Sequence, residues 1–246
     1  MTAPIIPDSV LLSGAAALLF ATTFLLGGRF HPFRRLITDR RNLISFAAGS
    51  SAAYVFVYLM PELDEVRLSF LESVHIALRF GGIAIYFIAL VGFLVFYGLE
   101  HLRIRFANTN KSDLDFKIHV GGFAAYVCLV SYLLANQLKE GPDSILLYTA
   151  AMTLHFLSVD HALREEHGSL YQKVARWLLA AMAIFGWGIG AFFAFSNALI
   201  ALLTAFLSGA VIMNSMLAEL PKEKDGRFLP FLLGGLIYGL ILVPLY

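Results

Sequence analysis

Residues 46–63 read FAAGSSAAYVFVYLMPEL, an apolar run with small residues in its first half and a proline near its end. In a water-soluble helix Gly49 would be unfavourable, whereas in lipid such residues are tolerated and let neighbouring helices approach closely. The run approaches the roughly 20 residues that cross the hydrocarbon core of a bilayer. It therefore predicts a transmembrane helix.

Similar apolar segments recur along the whole chain. The protein is 59% hydrophobic and only 14% charged, with a mean hydropathy of +0.76, whereas a soluble domain carries about a quarter charged residues. We predict an all-α polytopic membrane protein, with residues 1–246 forming a single transmembrane domain that contacts the lipid bilayer. Its eight transmembrane helices are expected at 9–28, 43–62, 81–102, 119–138, 144–163, 175–195, 198–218 and 228–246.

The charged residues predict an orientation. With the N-terminus outside, all but three of the 18 Lys and Arg residues fall on the cytoplasmic side, the exceptions being Arg67, Arg79 and Lys139. By the positive-inside rule both termini lie outside, and we expect a multi-pass protein of the bacterial inner (plasma) membrane. The stretch 61–80, PELDEVRLSFLESVHIALRF, forms an acid-rich outer loop in this interpretation. The net charge of +1 argues against a nucleic-acid partner.

Residues 46–63 can be set without gaps over residues 206–223, FLSGAVIMNSMLAELPKE. The alignment pairs Phe46 with Phe206, Gly49 with Gly209 and Pro61 with Pro221. The two stretches belong to the second and seventh of eight segments, which cross the membrane in opposite directions. This predicts a 3+2+3 inverted repeat, in which segments 1–3 correspond to segments 6–8 around a central pair. Chance similarity between two helices rich in small residues is the alternative.

The layout and the repeat together resemble the ZIP (Zrt/Irt-like) family of divalent-metal transporters. The run Tyr58-Leu59-Met60-Pro61-Glu62 is similar to the His-Leu-Leu-Pro-Glu-like end of the second ZIP span. Residues 208–223 resemble the seventh ZIP span, which ends in an acidic turn with proline. The resemblance implies alternating-access transport of a divalent cation, such as zinc, iron or manganese. The cation is the substrate, and no resident cofactor is expected.

ZIP proteins hold the ion between spans four and five, and span five carries a His-Glu-x-Pro-His-Glu-like run. In the stretch 153–171, TLHFLSVDHALREEHGSLY, His155 matches the first histidine and Asp160 falls on the last glutamate, while Phe156 and Val159 replace two of the ligands. Span four, read as VGGFAAYVCLVSYLLANQL, carries no His, Asp or Glu. The resemblance thus implies the scaffold of the family with most of its metal ligands missing.

Four residues are the candidate metal contacts, each with a structural alternative. His155, near mid-depth, is the principal contact, or a neutral imidazole hydrogen-bonded to a neighbouring helix. Asp160 assists it, or pairs with Arg164 at i+4. His161 shares a face with Glu165, as a weak metal pair or a solvated helix end. Because His155 and Asp160 point about 140° apart on a helix, one ion would join them only if the helix unwinds.

Asn136 is the fourth candidate, and it either lines an entrance or caps its helix. The alternative to transport is a non-transporting ZIP-like scaffold or sensor with a degenerate metal site. No enzyme activity is expected, because a metal-dependent hydrolase needs about three protein ligands around an open position and the spans suggest no such set. The pairs Gly186-x-x-x-Gly190 and Gly235-x-x-x-Gly239 predict close helix packing, either within the chain or at the seam of a homodimer.

Overall fold

The computed structural model describes residues 8–29, 40–74, 81–107, 112–134, 142–193, 195–215 and 227–243. These residues are almost entirely helical and contain no β-strand, which confirms the all-α prediction. In chain order the α-helices are α1 (Asp8–Leu26), α2 (Arg40–Ala53), α3 (Met60–Val74), α4 (Gly81–Ala107), α5 (Ser112–Leu134), α6 (Pro142–Leu170), α7 (Arg176–Phe192), α8 (Asn197–Asn214) and α9 (Phe228–Leu242).

Several of these helices are suited to a membrane. Four stretches are long and apolar enough to cross one: Gly82–Phe106, Asp113–Leu134, His155–Phe192 and Asn197–Asn214. The shorter helices Val10–Leu26 and Phe228–Leu242 are apolar as well. Together they indicate a membrane-embedded helical protein.

Two turns of π-helix continue neighbouring α-helices. Tyr54–Leu59 joins α2 to α3. Residues 61–74 belong to α3 and are helical, so their interpretation as part of a loop was wrong. Tyr171–Ala175 leads into α7. Just before it, Gly168 has φ 49° and ψ −114°, a conformation that glycine adopts far more readily than other residues. The long helical run therefore changes direction at Gly168, inside the predicted connection between the fifth and sixth segments.

Contacts between helices divide the chain into two compact units. The first unit comprises residues 1–31 and 99–195, and the second comprises residues 32–98 and 196–246. The first unit therefore contains α1, α5, α6, α7 and the end of α4. The second contains α2, α3, α8, α9 and the greater part of α4.

In the second unit, α2 and α9 are in direct backbone contact through two glycines. A Cβ atom at Gly49 would overlap the carbonyl oxygen of Phe231, and a Cβ at Gly234 would overlap the carbonyl oxygen of Phe46. Each helix thus contributes one glycine and one carbonyl group to the contact. Any larger residue at either glycine would force the helices apart.

The pair α4 and α8, in the same unit, has a contact of the same kind. A Cβ at Gly209 would overlap the carbonyl oxygen of Ala89, and a Cβ at Gly92 would overlap the carbonyl oxygen of Phe206. Helix α3 packs beside this pair. The apolar core between the three helices is formed by Leu63, Ile85, Ala89, Ala201 and Ala205.

In the first unit, aromatic rings fill the space between α1 and α6. Phe156 is fully buried. Its ring centroid lies 5.0 Å from that of Phe20 and 5.2 Å from that of Phe24. Phe156 is therefore a core residue, and a charged side chain at this position would be unfavourable. Helix α7 closes on α5 at Gly186, where a Cβ would overlap the carbonyl oxygen of Cys128.

Candidate metal centre

Two histidines and a glutamate meet where α5 begins and α6 approaches Gly168. His119 lies on α5, and Glu166 and His167 lie on α6. The Nδ1 atom of His119 is 2.9 Å from Nε2 of His167 and 3.5 Å from Oε2 of Glu166. One ligand atom from each residue lies within 4.8 Å of the other two, which is a suitable spacing for a metal ion. We call these three residues the His-Glu-His group.

The two ligand–ligand distances that involve His119 are close to those of a tetrahedral metal site. With Zn–N bonds of about 2.0–2.1 Å, two ligand atoms stand roughly 3.3 Å apart. The distance of 3.5 Å from Nδ1 of His119 to Oε2 of Glu166 is near this value. Nδ1 of His119 and Nε2 of His167 lie 2.9 Å apart and would need to separate by only about 0.4 Å. An ion would replace their hydrogen bond, and the donating ring would change tautomer. Three protein ligands leave a fourth position for water or an exchanging ligand.

The surroundings of the group are apolar on the α5 side and open at the glutamate. The ring of Phe116 lies 5.2 Å from that of His167, and the ring of Phe123 lies 5.3 Å from that of His119, measured between centroids. The His119 side chain is 12% exposed, whereas that of Glu166 is 37% exposed. Glu166 is therefore the ligand that an ion from solvent would meet first.

An arginine already contacts this glutamate. Arg103, near the end of α4, donates from Nη1 to Oε1 of Glu166. It also donates to Glu100, from Nε at 2.8 Å and from Nη2. Glu166 therefore presents one carboxylate oxygen to Arg103 and the other to His119.

A buried carboxylate lies one turn before His119 on α5. Asp115 is only 8% exposed. Among the described residues, no group hydrogen-bonds to its Oδ1 atom. Its charge acts on the Arg103 guanidinium, and residues four apart on a helix share one face. A buried carboxylate oxygen without a partner is unfavourable, so a cation at this end of α5 would be stabilised.

The principal sequence candidate, His155, lies elsewhere on α6. Its ring packs edge-on against Tyr126 of α5, with a centroid distance of 5.6 Å. About 18 Å of helix separates it from His167. His155 therefore lies at the predicted interface between α5 and α6 but does not belong to the His-Glu-His group.

Asp160 faces the end of α1 instead. It is 2% exposed, it accepts hydrogen bonds from Nη2 of Arg164 at 2.9 and 3.0 Å, and it also accepts one from the Tyr171 hydroxyl. The predicted i, i+4 pair with Arg164 is confirmed. Side chains at Gly27 and Gly28 would collide with this ion pair. His155 and Asp160 have different neighbours in the structure. This agrees with their angular separation on a helix, which argued against a shared ion.

The remaining candidates contribute less. The side chain of His161 is 73% exposed and its Nε2 atom is 3.8 Å from Oε2 of Glu165, which fits a solvated helix end. Asn136 lies outside the described residues.

Sequence reasoning missed His119 and the neighbouring Asp115, although the predicted fourth span, 119–138, begins at His119. The stretch inspected for ligands began after His119, and the statement that span four lacks His, Asp and Glu was wrong for the helix as it folds. Helix α5 begins at Ser112 and carries Asp115 and His119. Their i, i+4 spacing was the available signal. The expectation that no three ligands converge does not hold for these residues, while the absence of enzyme activity stays a prediction.

Comparison of this chain with protein-family models, with curated proteins and with solved structures found no match.

Proposed function

We propose that this chain is a ZIP-like transporter of divalent metal cations, namely zinc, iron or manganese, that works by alternating access. The observation that carries the proposal is the His-Glu-His group, which offers a divalent transition metal three ligands and an open position. The group lies between α5 and α6, the helices that correspond to spans four and five. We therefore assign the principal contacts with the ion to this group and not to His155 and Asp160.

The glycine contacts support the inverted repeat on which the resemblance depends. Phe46 and Gly49 of α2 align in sequence with Phe206 and Gly209 of α8. Their partners on α9 and α4 are a carbonyl group and a glycine three residues later in both cases. Helix α9 therefore contacts α2 as α4 contacts α8. A repeat that relates segments 2 and 3 to segments 7 and 8 requires this pairing.

The polar groups between α5 and α6 support a pathway along this interface. The Tyr126 and His155 rings lie deeper in the helices, and the His-Glu-His group lies at the end that also carries Arg103. The positive-inside rule assigns that end to the cytoplasm and both termini to the outside of a bacterial inner membrane. An ion would thus pass His155 first and reach the His-Glu-His group before release.

A second candidate function is a non-transporting ZIP-like scaffold or metal sensor. One observation favours it: Asp160, a candidate contact on the predicted pathway, is paired with Arg164. A sensor needs an ion site at the cytoplasmic end but no continuous pathway.

Uptake of Zn²⁺, Fe²⁺ and Mn²⁺ into proteoliposomes tests the proposal. We expect saturable uptake by the wild type, its loss in His119→Ala, and its retention in His161→Ala, which removes an exposed histidine from α6. His155→Ala tests the deeper part of the pathway. Absence of uptake of all three ions by folded wild-type protein would refute transport and favour the sensor. Normal uptake by His119→Ala would exclude the His-Glu-His group from the pathway.

A further inference from the structure

We propose that Arg103 is an internal cation that competes with the metal ion for Glu166, and that its freed N–H group turns to Asp115 when the ion binds. This inference rests on the metal site in the proposed function but not on transport. It assigns Arg103 a role in regulating the affinity and release of the ion.

The first step is that the Glu166 carboxylate cannot bind both Arg103 and the metal ion at full strength. Its Oε1 atom accepts from Nη1 of Arg103, while its Oε2 atom faces His119. A divalent ion bound at Oε2 would stand a few ångströms from the guanidinium, in partly buried surroundings where charges repel strongly. Ion binding therefore weakens the bond between Arg103 and Glu166, and that bond disfavours ion binding.

The second step is that Arg103 can release Glu166 without leaving its place. Its Nε and Nη2 atoms are held by the two carboxylate oxygens of Glu100, which occupies the other side of the guanidinium. Only the Nη1 end bonds Glu166. The planar fork of arginine allows this division of donors, so a small rotation would redirect Nη1.

The third step is that an acceptor is present for the freed donor. Asp115 is buried, and its Oδ1 atom has no hydrogen-bond partner among the described residues. Its charge already acts on the Arg103 guanidinium. Transfer of Nη1 to Asp115 would satisfy an oxygen that is otherwise unfavourably buried.

The charges of the cluster fit a divalent ion. Glu100, Asp115 and Glu166 carry three negative charges, and Arg103 carries one positive charge. With neutral histidines a divalent cation balances this charge. In the ion-bound state, Arg103 is shared by Glu100 and Asp115, and the metal is bound by Glu166 and the two histidines.

Titration of the full-length protein in detergent with Zn²⁺ alone, followed by a competing chelator dye, tests the inference. We expect Arg103→Gln to bind Zn²⁺ about two to five times more tightly than the wild type, as for loss of a partly exposed ion pair. Arg103→Lys keeps the competing positive charge but loses the planar fork, so it should bind Zn²⁺ less tightly than Arg103→Gln. Loss of packing cannot explain tighter binding, because a destabilised site would bind more weakly.

A double-mutant cycle tests the transfer to Asp115. We expect Asp115→Asn to weaken binding about threefold in the wild type and to have no effect in Arg103→Gln. Equal weakening in both backgrounds would overturn the transfer, because Asp115 would then act directly on the ion.

Unchanged or weaker binding by Arg103→Gln would overturn the competition but leave the metal site. No binding by either protein would overturn both the site and this inference. Tighter binding without uptake into proteoliposomes would refute transport alone.

Discussion

Replacing Gly92 with alanine tests the close packing of α4 against α8. The new methyl group would overlap the carbonyl oxygen of Phe206 and lie 2.9 Å from its carbonyl carbon. Both atoms belong to the backbone, so no change of rotamer can relieve the overlap, and the helices must separate by about 1–1.5 Å. A gap of 1 Å already forfeits about half of the local dispersion energy.

The expected loss follows from these terms. Overpacking costs up to about 3 kcal/mol and sometimes more, and alanine returns about 1 kcal/mol through its better helix propensity. We therefore expect the free energy of unfolding to fall by about 2 kcal/mol in Gly92→Ala. Gly209→Ala adds a methyl group to the other half of the contact and should lower the free energy of unfolding by a similar amount.

The assay is reversible unfolding of the full chain in mixed detergent micelles, followed by helical circular dichroism. Gly98→Ala is the matched control on the same helix, because no described atom lies within 4 Å of its added Cβ. It should raise the free energy of unfolding by up to about 1 kcal/mol, because it gains the helix propensity of alanine without the overlap. Equal stability of Gly92→Ala and Gly98→Ala would contradict the backbone contact between α4 and α8.

Two further predictions concern charged groups in different parts of the chain. Asp160→Asn should lower the free energy of unfolding by about 2–3 kcal/mol, because it leaves the partly buried Arg164 without its counter-charge. In the same unfolding assay, the double variant Asp160→Asn with Arg164→Leu should recover most of that loss. Hydrogen bonds from Arg67 and Tyr86 hold the pKa of Asp64 below its ordinary value of 3.8, so this carboxylate stabilises the fold above that pH and loses its contribution as pH falls through the lower folded value. Tyr86→Phe should move the Asp64 titration, followed by carboxyl carbon NMR, to higher pH; an unchanged midpoint would show that Tyr86 does not contribute.

Local patterns in the sequence were sufficient for much of the fold. Long apolar runs predict the helices, and the i, i+4 spacing predicts the pair of Asp160 and Arg164, because partners one turn apart meet on any helix. The acidic stretch after Pro61 was taken for a loop because it lies between two predicted membrane spans. It is helical, with Asp64 bonded to Arg67 at 2.7 Å and to the Tyr86 hydroxyl at 3.0 Å.

The metal centre could not be derived in the same way. His119 and His167 are 48 residues apart in sequence, and their meeting depends on where two helices end and how they pack. A histidine at the edge of an apolar run gives little indication of this on its own. Arg103 adds a third helix to the same place, and no spacing within one helix predicts that convergence.

The glycine contacts also limit how the helices can move. Side chains adapt to small displacements by changing rotamer, but a contact made by carbonyl oxygens and α-carbons has no such freedom. Helices α2 and α9, and likewise α4 and α8, would therefore each move as one rigid body. Among the described residues of the second unit, the π-helical turn at Tyr54–Leu59 is a place where the chain could bend, because its backbone hydrogen bonds already depart from the α-helical pattern.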